Sequence, residues 1–563
     1  MILFPFRYLL WLLSRARRAI GKPPSDFVIF VLEEDLPALP DPPRPWWQRL
    51  TGRQRLSIKE LGDRFDLIAR DPQLKGVVLH LRAAGMSMAT LEDLRELVGR
   101  LRKSGKRVVA WSPFYTTGSY YLASACDEIL LMPTGMVQPL GFSTTGMFLA
   151  DGLRRFGVAA DFVQISPYKS AADVLTKPKM SDELREQLTW LLESRHKELV
   201  AAIAESRLLN EEGAKALIDQ SPYGDQVALE QHVIDGVLAE EHLPEHLGRS
   251  TGAAATIATW ERTRGKLQMT PPSLGRGKYV AVIRIEGTIV DGRSGRLPIR
   301  PPIDVPLVGD DRAGDLTIVQ AVRQVSADSR AAAAVLYVNS RGGSAAASEA
   351  MRQALNVVAS RMPVVVVMGP IAGSGGYWVS TPGSWIVARP STMTGSIGVL
   401  TGKIVTGPAW AKLLFNRETI AFGEHATMES DERPYTDEER KIVRAEIERI
   451  YAEFLKIVAK SRKMTTEEVD PIAQGKVWTG RQALERKLVD EMGGLDAGIR
   501  KARSLAGLSD EAPVREVRPP KRMTPPRSDG APAGWLGYII EGVSLMSRAP
   551  ALAVMEYLPG EVR

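Results

Sequence analysis

Short, almost wholly apolar runs recur along this chain, separated by stretches whose apolar residues follow a helical spacing. From Gly76 the sequence reads GVVLHLRAAGMSMATLEDLRELVGRLRKSGKRVVAWSP, and from Ala333 it reads AAVLYVNSRGGSAAASEAMRQALNVVASRMPVVVVMGP. Each stretch predicts an apolar strand, a Gly-containing turn, an amphipathic helix and a second apolar strand. The two align without a gap at a shift of 257 positions (333 − 76). The same shift pairs Pro113 with Pro370, Tyr120 with Tyr377, Pro133 with Pro390 and Gly141 with Gly398.

Further on, the shift becomes 255. SDELREQ at Ser181 matches TDEERKI at Thr436, and ALEQHVID at Ala228 matches ALERKLVD at Ala483. Thr436 and Glu439 have the spacing of a capping box at a helix start. Upstream, the strand Phe27 to Leu32 resembles the strand Tyr279 to Ile285. The chain is therefore an internal duplication. Strands alternating with helices imply α/β layers with largely parallel pairing. Copy one runs over 26–248 and copy two over 278–508, joined by a Gly-, Thr- and Pro-containing linker, 249–277.

Length alone, 563 residues, suggests about four domains at roughly 150 residues each. The duplication accounts for it better as two related domains plus ends. With 44% hydrophobic and 25% charged residues, the composition excludes a disordered chain, a collagen and a polytopic membrane protein. A net charge of +7 is mild for this length and does not point to nucleic acid. The single cysteine, Cys126, excludes a disulfide framework and a cysteine-based zinc site.

The ends differ from the repeats. The N-terminus, MILFPFRYLLWLLSRARRAIGK, has an apolar run of 13 residues followed by Arg15, Arg17, Arg18 and Lys22. A helix needs about 20 apolar residues to span a bilayer. The basic cluster also lies on the wrong side for a signal peptide. Residues 1–25 fit an interfacial membrane anchor, with Phe4, Phe6, Tyr8 and Trp11 in lipid and the arginines at anionic headgroups. At the other end, 509–563, a Pro- and Arg-rich linker from Ala512 to Pro532 should be extended or disordered. An interrupted apolar segment, Trp535 to Leu558, follows it.

The copies diverge at the turns that could carry chemistry. In copy two a strand runs into GPIAGSGGYW, where Ser374 lies between Gly373 and Gly375. A glycine-flanked serine at a strand-to-helix turn can expose its Oγ and leave backbone N–H groups for an oxyanion. Copy one has Thr117 opposite Ser374, and Ser119 replaces Gly376. The preceding turn of copy two, NSRGGS, carries Gly342 and Gly343 where copy one has a single glycine. A serine nucleophile needs a base. None of the six histidines lies in a triad signature, and His80 reads as a core residue. Lys169, in SPYKSAAD of copy one, is the other candidate; copy two has Glu424, His425 and Ala426 there. Copy two thus keeps the serine turn and copy one keeps the lysine.

These residues resemble the signal peptide peptidase A family in its long tandem form. The resemblance rests on SGGYW at Ser374, PSTMTGSIG at Pro390–Gly398, YKSA at Tyr168–Ala171 and ALERKLVDEMGGLD near Ala483. It implies two tandem α/β domains of the crotonase and Clp-protease type, and a membrane-associated serine peptidase. It further implies Ser374 as nucleophile, Lys169 as general base and Gly375 N–H as oxyanion donor. The Gly342–Gly343 turn would be the second donor, and Ser396 would orient the lysine. The resemblance implies neither metal nor cofactor. Remnant signal peptides and other apolar peptides would be substrates. A homo-oligomer (a tetramer), contact with membrane lipid and a site on the periplasmic face of a bacterial inner membrane complete the expectation. Three other readings stand beside it. One is a non-catalytic scaffold of the same fold, and another a crotonase-like acyl-CoA enzyme. The third is a metallohydrolase using His242 and His246 in HLPEH, which Pro244 disfavours by interrupting a regular helix.

Overall fold

The computed structural model describes residues 24–41, 55–82, 85–267, 277–295 and 311–518, together with Tyr8, Trp11, Leu12 and the backbone of Leu552–Val554. Most of the expected N-terminal anchor and of the C-terminal tail lies outside these residues. Among the described residues no helix is long and apolar enough to cross a membrane. The chain divides into two compact units.

The first unit takes the residues up to Ser143 and Arg195–Arg276. Strands β1 (Phe27–Leu32), β2 (Gly76–Leu81), β3 (Arg107–Thr116) and β4 (Glu128–Gln138) pair in that order, all parallel. Helix α1 (Met88–Lys103) starts at Ser87, whose side chain accepts from Thr90 N–H, and it buries Leu91, Leu94, Leu97 and Leu101. Full burial of each leucine contributes about 1.5–3 kcal/mol. This helical stripe against a continuous apolar strand forms the core of the unit. His80, in β2, is buried edge-on against Trp111. Pro244 falls in the first turn of a short helix, Leu243–Gly248, rather than breaking it. A first-turn proline sacrifices no intrahelical bond.

The second unit takes Thr144–Ser194 and the chain from Gly277 onward. Its strands are β5 (Ala159–Gln164), β6 (Tyr279–Glu286), β7 (Thr288–Val290), β8 (Arg312–Gly314), β9 (Ala331–Ser340), β10 (Gly342–Ser344), β11 (Val364–Gly373), β12 (Trp385–Ala388), β13 (Met393–Gly395), β14 (Leu400–Val405), β15 (Val477–Thr479), β16 (Val514–Glu516) and β17 (Leu552–Val554). The larger sheet runs β15-β13-β11-β9-β6-β16, with β12 also on β11. Its central pairs β6–β9 and β9–β11 are parallel. A second sheet runs β8-β7-β10-β17-β14-β5.

Element bounds repeat at the shift read from the sequence. β3 maps onto β11 at both ends, and α1 maps onto the helix Ala345–Ala359. β4 maps onto the span of β12 and β13, where the second copy is interrupted. The duplication extends to buried polar contacts. Tyr120 Oη donates to Val233 O at 2.7 Å, and Tyr377 Oη donates to Leu488 O at 2.8 Å. Asp235 accepts from Ile129 N–H and Arg207, and Asp490 accepts from Ile386 N–H and Arg462. These partners follow the 257 and 255 shifts.

One expectation requires correction. The repeat places 26–248 in one domain, but Thr144–Ser194, which carries Lys169, belongs to the second unit. The reason is pairing. β5 lies antiparallel to β14 over its whole length, from Leu400 opposite Gln164 to Val405 opposite Ala159. Asp161 accepts from Tyr435 N–H and pairs with Arg440. The Pro- and Arg-rich linker opens in the extended form expected of it. Its first residues form an ordered edge strand, β16, parallel to β6. Pro513 is compatible with that edge because its carbonyl accepts from Val280 N–H and its missing donor is not needed there.

Candidate functional site

β11 ends at Gly373, and helix α2 (Gly375–Ser380) begins immediately after Ser374. Ser374 joins them with φ of 55° and ψ of −115°. That conformation is sparsely populated for a non-glycine residue and costs on the order of 1–3 kcal/mol. Hydrogen bonds hold it in place. Ser374 N–H donates to Gly395 O at 2.8 Å, and Ser374 O accepts from Trp378 N–H at 2.8 Å. The glycine at 376 is required, because a Cβ there would lie 2.6 Å from Ser340 O.

The corresponding turn of copy one is built differently. There Thr116 caps an ordinary helix start with φ of −84°, its side chain accepting from Ser119 N–H, while Ser119 Oγ accepts from Thr116 N–H. Thr117 is then a plain helical residue. The residue that replaces Gly376 therefore closes a capping box and removes the strained elbow.

Lys169 reaches Ser374 from the other side. β5 carries the chain past Leu400 and Val399, with Ile165 N–H donating to Val399 O at 3.0 Å. Lys169 Nζ lies 2.8 Å from Ser374 Oγ, 2.9 Å from Ser396 O and 2.9 Å from Ser396 Oγ. Lys169, Ser374 and Ser396 are each fully buried. Ser396 also has a positive φ, 49°, and is held by its N–H donating to Lys476 O at 2.7 Å. Ser374 Oγ lies 3.5 Å from Gly398 O.

The structure thus brings Lys169, Ser374 and Ser396 into one cluster inside one unit, although 205 residues separate the lysine from the serine. Gly375 opens α2, a position whose N–H has no intrahelical acceptor. Gly342 and Gly343 lie in β10, just beyond Ser340, which pairs with Ala372 near the end of β11. The φ values there are 97° and 154°, and a Cβ on Gly343 would lie 2.0 Å from Ile289 O. Gly342 N–H donates to Ser340 Oγ at 3.0 Å.

A second fully buried lysine in this unit, Lys403, has different surroundings. Its Nζ donates to Met428 O and sits over the Tyr435 ring at 4.4 Å. Burial pulls its pKa down, but those two contacts offer it no nucleophile.

Sequence reasoning missed the support beneath Lys169. Gly475, with φ of 79°, packs so closely that a Cβ would lie 2.7 Å from Lys169 Cβ. Its N–H donates to Ile397 O at 2.8 Å, and Ser166 Oγ donates to Gln474 O. A signal for it existed: at the 255 shift, Gly475 faces Gln220, so this glycine, like Gly373 and Gly376 of the serine turn, occurs in copy two only. Tyr168, next to the lysine, packs at a tilt against Trp190 and donates to Glu186.

Comparison with known proteins gives the family of the chain. The family model described as peptidase family S49 matches residues 100–250 and 356–509, one stretch in each copy. Protease 4 of Haemophilus influenzae is 30% identical over 460 residues, covering 79% of this chain and 72% of its own length. Protease 4 of Salmonella typhi is 33% identical over 448 residues, covering 78% and 70%. The chloroplastic serine protease SPPA of Arabidopsis thaliana is 28% identical over 461 residues, covering 80% and 66%. Among solved structures, a ClpP1 mutant from Listeria monocytogenes aligns over 39% of this chain and 94% of its own, at 14% identity and a TM-score of 0.24. The paired family matches span more than half of the chain, and this tandem α/β protein belongs to the S49 family of serine peptidases.

Proposed function

We propose that Ser374 is the nucleophile and Lys169 the general base of an endopeptidase that hydrolyses apolar peptides through an acyl-enzyme. The observation that carries this reading is the 2.8 Å separation of Lys169 Nζ and Ser374 Oγ in a fully buried setting. A general base must reach the proton it removes within about 2.6–3.2 Å. Burial disfavours an ammonium, which favours the neutral amine that a base requires. Ser396 presents its hydroxyl and its carbonyl to Nζ and so aims the lone pair at Ser374.

Ser374 Oγ attacks the peptide carbonyl as its proton passes to Lys169. The Gly375 N–H stabilises the resulting oxyanion, and Gly343 N–H is the second donor, since Gly342 N–H is already engaged by Ser340. The lysine then protonates the leaving amine. Water, deprotonated by the same lysine, releases the acyl group. No step requires a metal or cofactor.

Remnant signal peptides suit such a site because they are apolar and Leu- and Ala-rich. The N-terminal sequence supports docking at a bacterial inner membrane, and the family resemblance implies peptidase units on the periplasmic face, assembled as a homo-oligomer. A fluorophosphonate probe tests the chemistry. Labelling should fall on Ser374 and vanish in both Ser374→Ala and Lys169→Ala; undiminished labelling of either variant would refute the dyad.

A further inference from the structure

We infer that the strand β17, Leu552–Val554, is an internal occupant of the peptide-binding groove, so that the full chain competes with its own substrates. The inference rests on the peptidase reading of Ser374. β17 lies between β10 and β14 and is antiparallel to both. Val554, Ala553 and Leu552 stand opposite Gly342, Gly343 and Ser344, and Leu552 also stands opposite Leu400.

Without β17, two strand edges with unmatched N–H and C=O groups would face each other across a slot one strand wide. Neighbouring strands lie about 4.8 Å apart, so that slot would measure roughly 10 Å between its walls. An edge of this kind accepts an extended peptide by backbone pairing, whatever its side chains.

Both walls of the slot lead to the nucleophile. One carries Gly343, the proposed oxyanion donor. The other begins at Leu400, two residues after Gly398, whose carbonyl oxygen is 3.5 Å from Ser374 Oγ. An extended chain that pairs with both walls runs alongside Ser374, which is the path a peptide substrate must take.

The chemistry of the segment fits as well. Ala549–Met555 reads APALAVM, apolar throughout and rich in alanine. That is the substrate class proposed above. Reach is not limiting, since 35 residues separate Glu516, at the end of β16, from Leu552. Fully extended, they could span more than about 100 Å. A tethered segment competes at an effective concentration of about 1 mM. Against a peptide whose own dissociation constant is about 0.1 mM, this raises the apparent KM about tenfold.

The test compares three purified proteins: the full chain, a chain ending at Ser547, and the full chain carrying Ala553→Pro. Proline at 553 removes a backbone donor and cannot sit in the middle of a sheet. Hydrolysis of a Leu/Ala-rich fluorogenic peptide gives kcat and KM. A labelled synthetic peptide of residues 548–557 is titrated into the shortened chain carrying Ser374→Ala.

Shortening and Ala553→Pro should each lower KM about tenfold with kcat unchanged, and the labelled peptide should bind and be displaced by substrate. Equal KM values in all three proteins, or a shortened chain that does not bind the peptide, would overturn the inference while leaving the peptidase reading intact. A shortened chain that binds the peptide yet hydrolyses nothing would retain the groove assignment and remove the peptidase reading. A lower KM on shortening but not in Ala553→Pro would also overturn it, because occupancy would then not depend on strand pairing.

Discussion

Removing the Ser374 hydroxyl or the Lys169 amine should each lower kcat by about three orders of magnitude or more, and removing both should be no worse than removing one. Steady-state hydrolysis with urea unfolding as a control checks this, since neither side chain carries the fold. Ser396→Ala tests positioning: it should lose about tenfold in kcat with KM unchanged, because the contact it removes is to Nζ. Gly475→Ala should lose about 100-fold in kcat, since its new methyl would displace Lys169. It should also unfold about 1–3 kcal/mol more easily through the strain at φ of 79°. The two halves of the proposed dyad were legible in the sequence because each copy keeps one of them, so the contrast between copies isolates both. For Gly475 the contrast between copies marks the position but not its purpose, because its constraint is a contact with the backbone at Lys169, far away in the chain. No local pattern records such a contact.

Single elements carry their own instructions. Helix α3, Asp437–Arg462, opens on a capping box read directly from its sequence, with Thr436 and Glu439 as reciprocal partners. Such a cap contributes about 1 kcal/mol. Glu439 does more than close that box, because Arg433 grips its carboxylate at 2.6 and 2.7 Å. The ion pair, opposed by partial burial and aided by Thr436 N–H, lowers its pKa to about 2 from an ordinary 4.5. A folded-state value below the unfolded one means stability that is present at neutral pH. It fades as pH falls from about 4.5 to about 2. Glu439→Gln should therefore destabilise the protein at pH 7, and urea unfolding across that window should show the difference from the parent shrinking. Strands were equally legible where both faces are buried, as in the first halves of β3 and β11. β17 was not, because an apolar tail segment has the same composition whether it meets lipid, its own protein or a groove.

At the scale of the whole molecule the duplication governs stability as well as topology. Arg207 and Arg462 hold equivalent aspartates, Asp235 and Asp490. Arg207→Ala and Arg462→Ala should each cost about 1–3 kcal/mol, by stranding a carboxylate that also accepts a backbone N–H. Hydrogen exchange should place the first loss in the unit of Asp235 and the second in the unit of Asp490. The repeat shift relates those two pairs, but it misassigned Thr144–Ser194. Sequence similarity records ancestry, whereas a compact unit is set by pairing, and β5 pairs with β14. One consequence concerns the order of synthesis. Lys169 and Ser374 are both made before Gly475 and Lys476, which pack beneath the lysine and hold Ser396. About 100 residues separate Ser374 from Gly475, which takes roughly 5–20 s to translate. Through that interval the growing chain carries both members of the proposed dyad without the support that aligns them, so the nascent protein should stay proteolytically silent until its second copy is nearly complete.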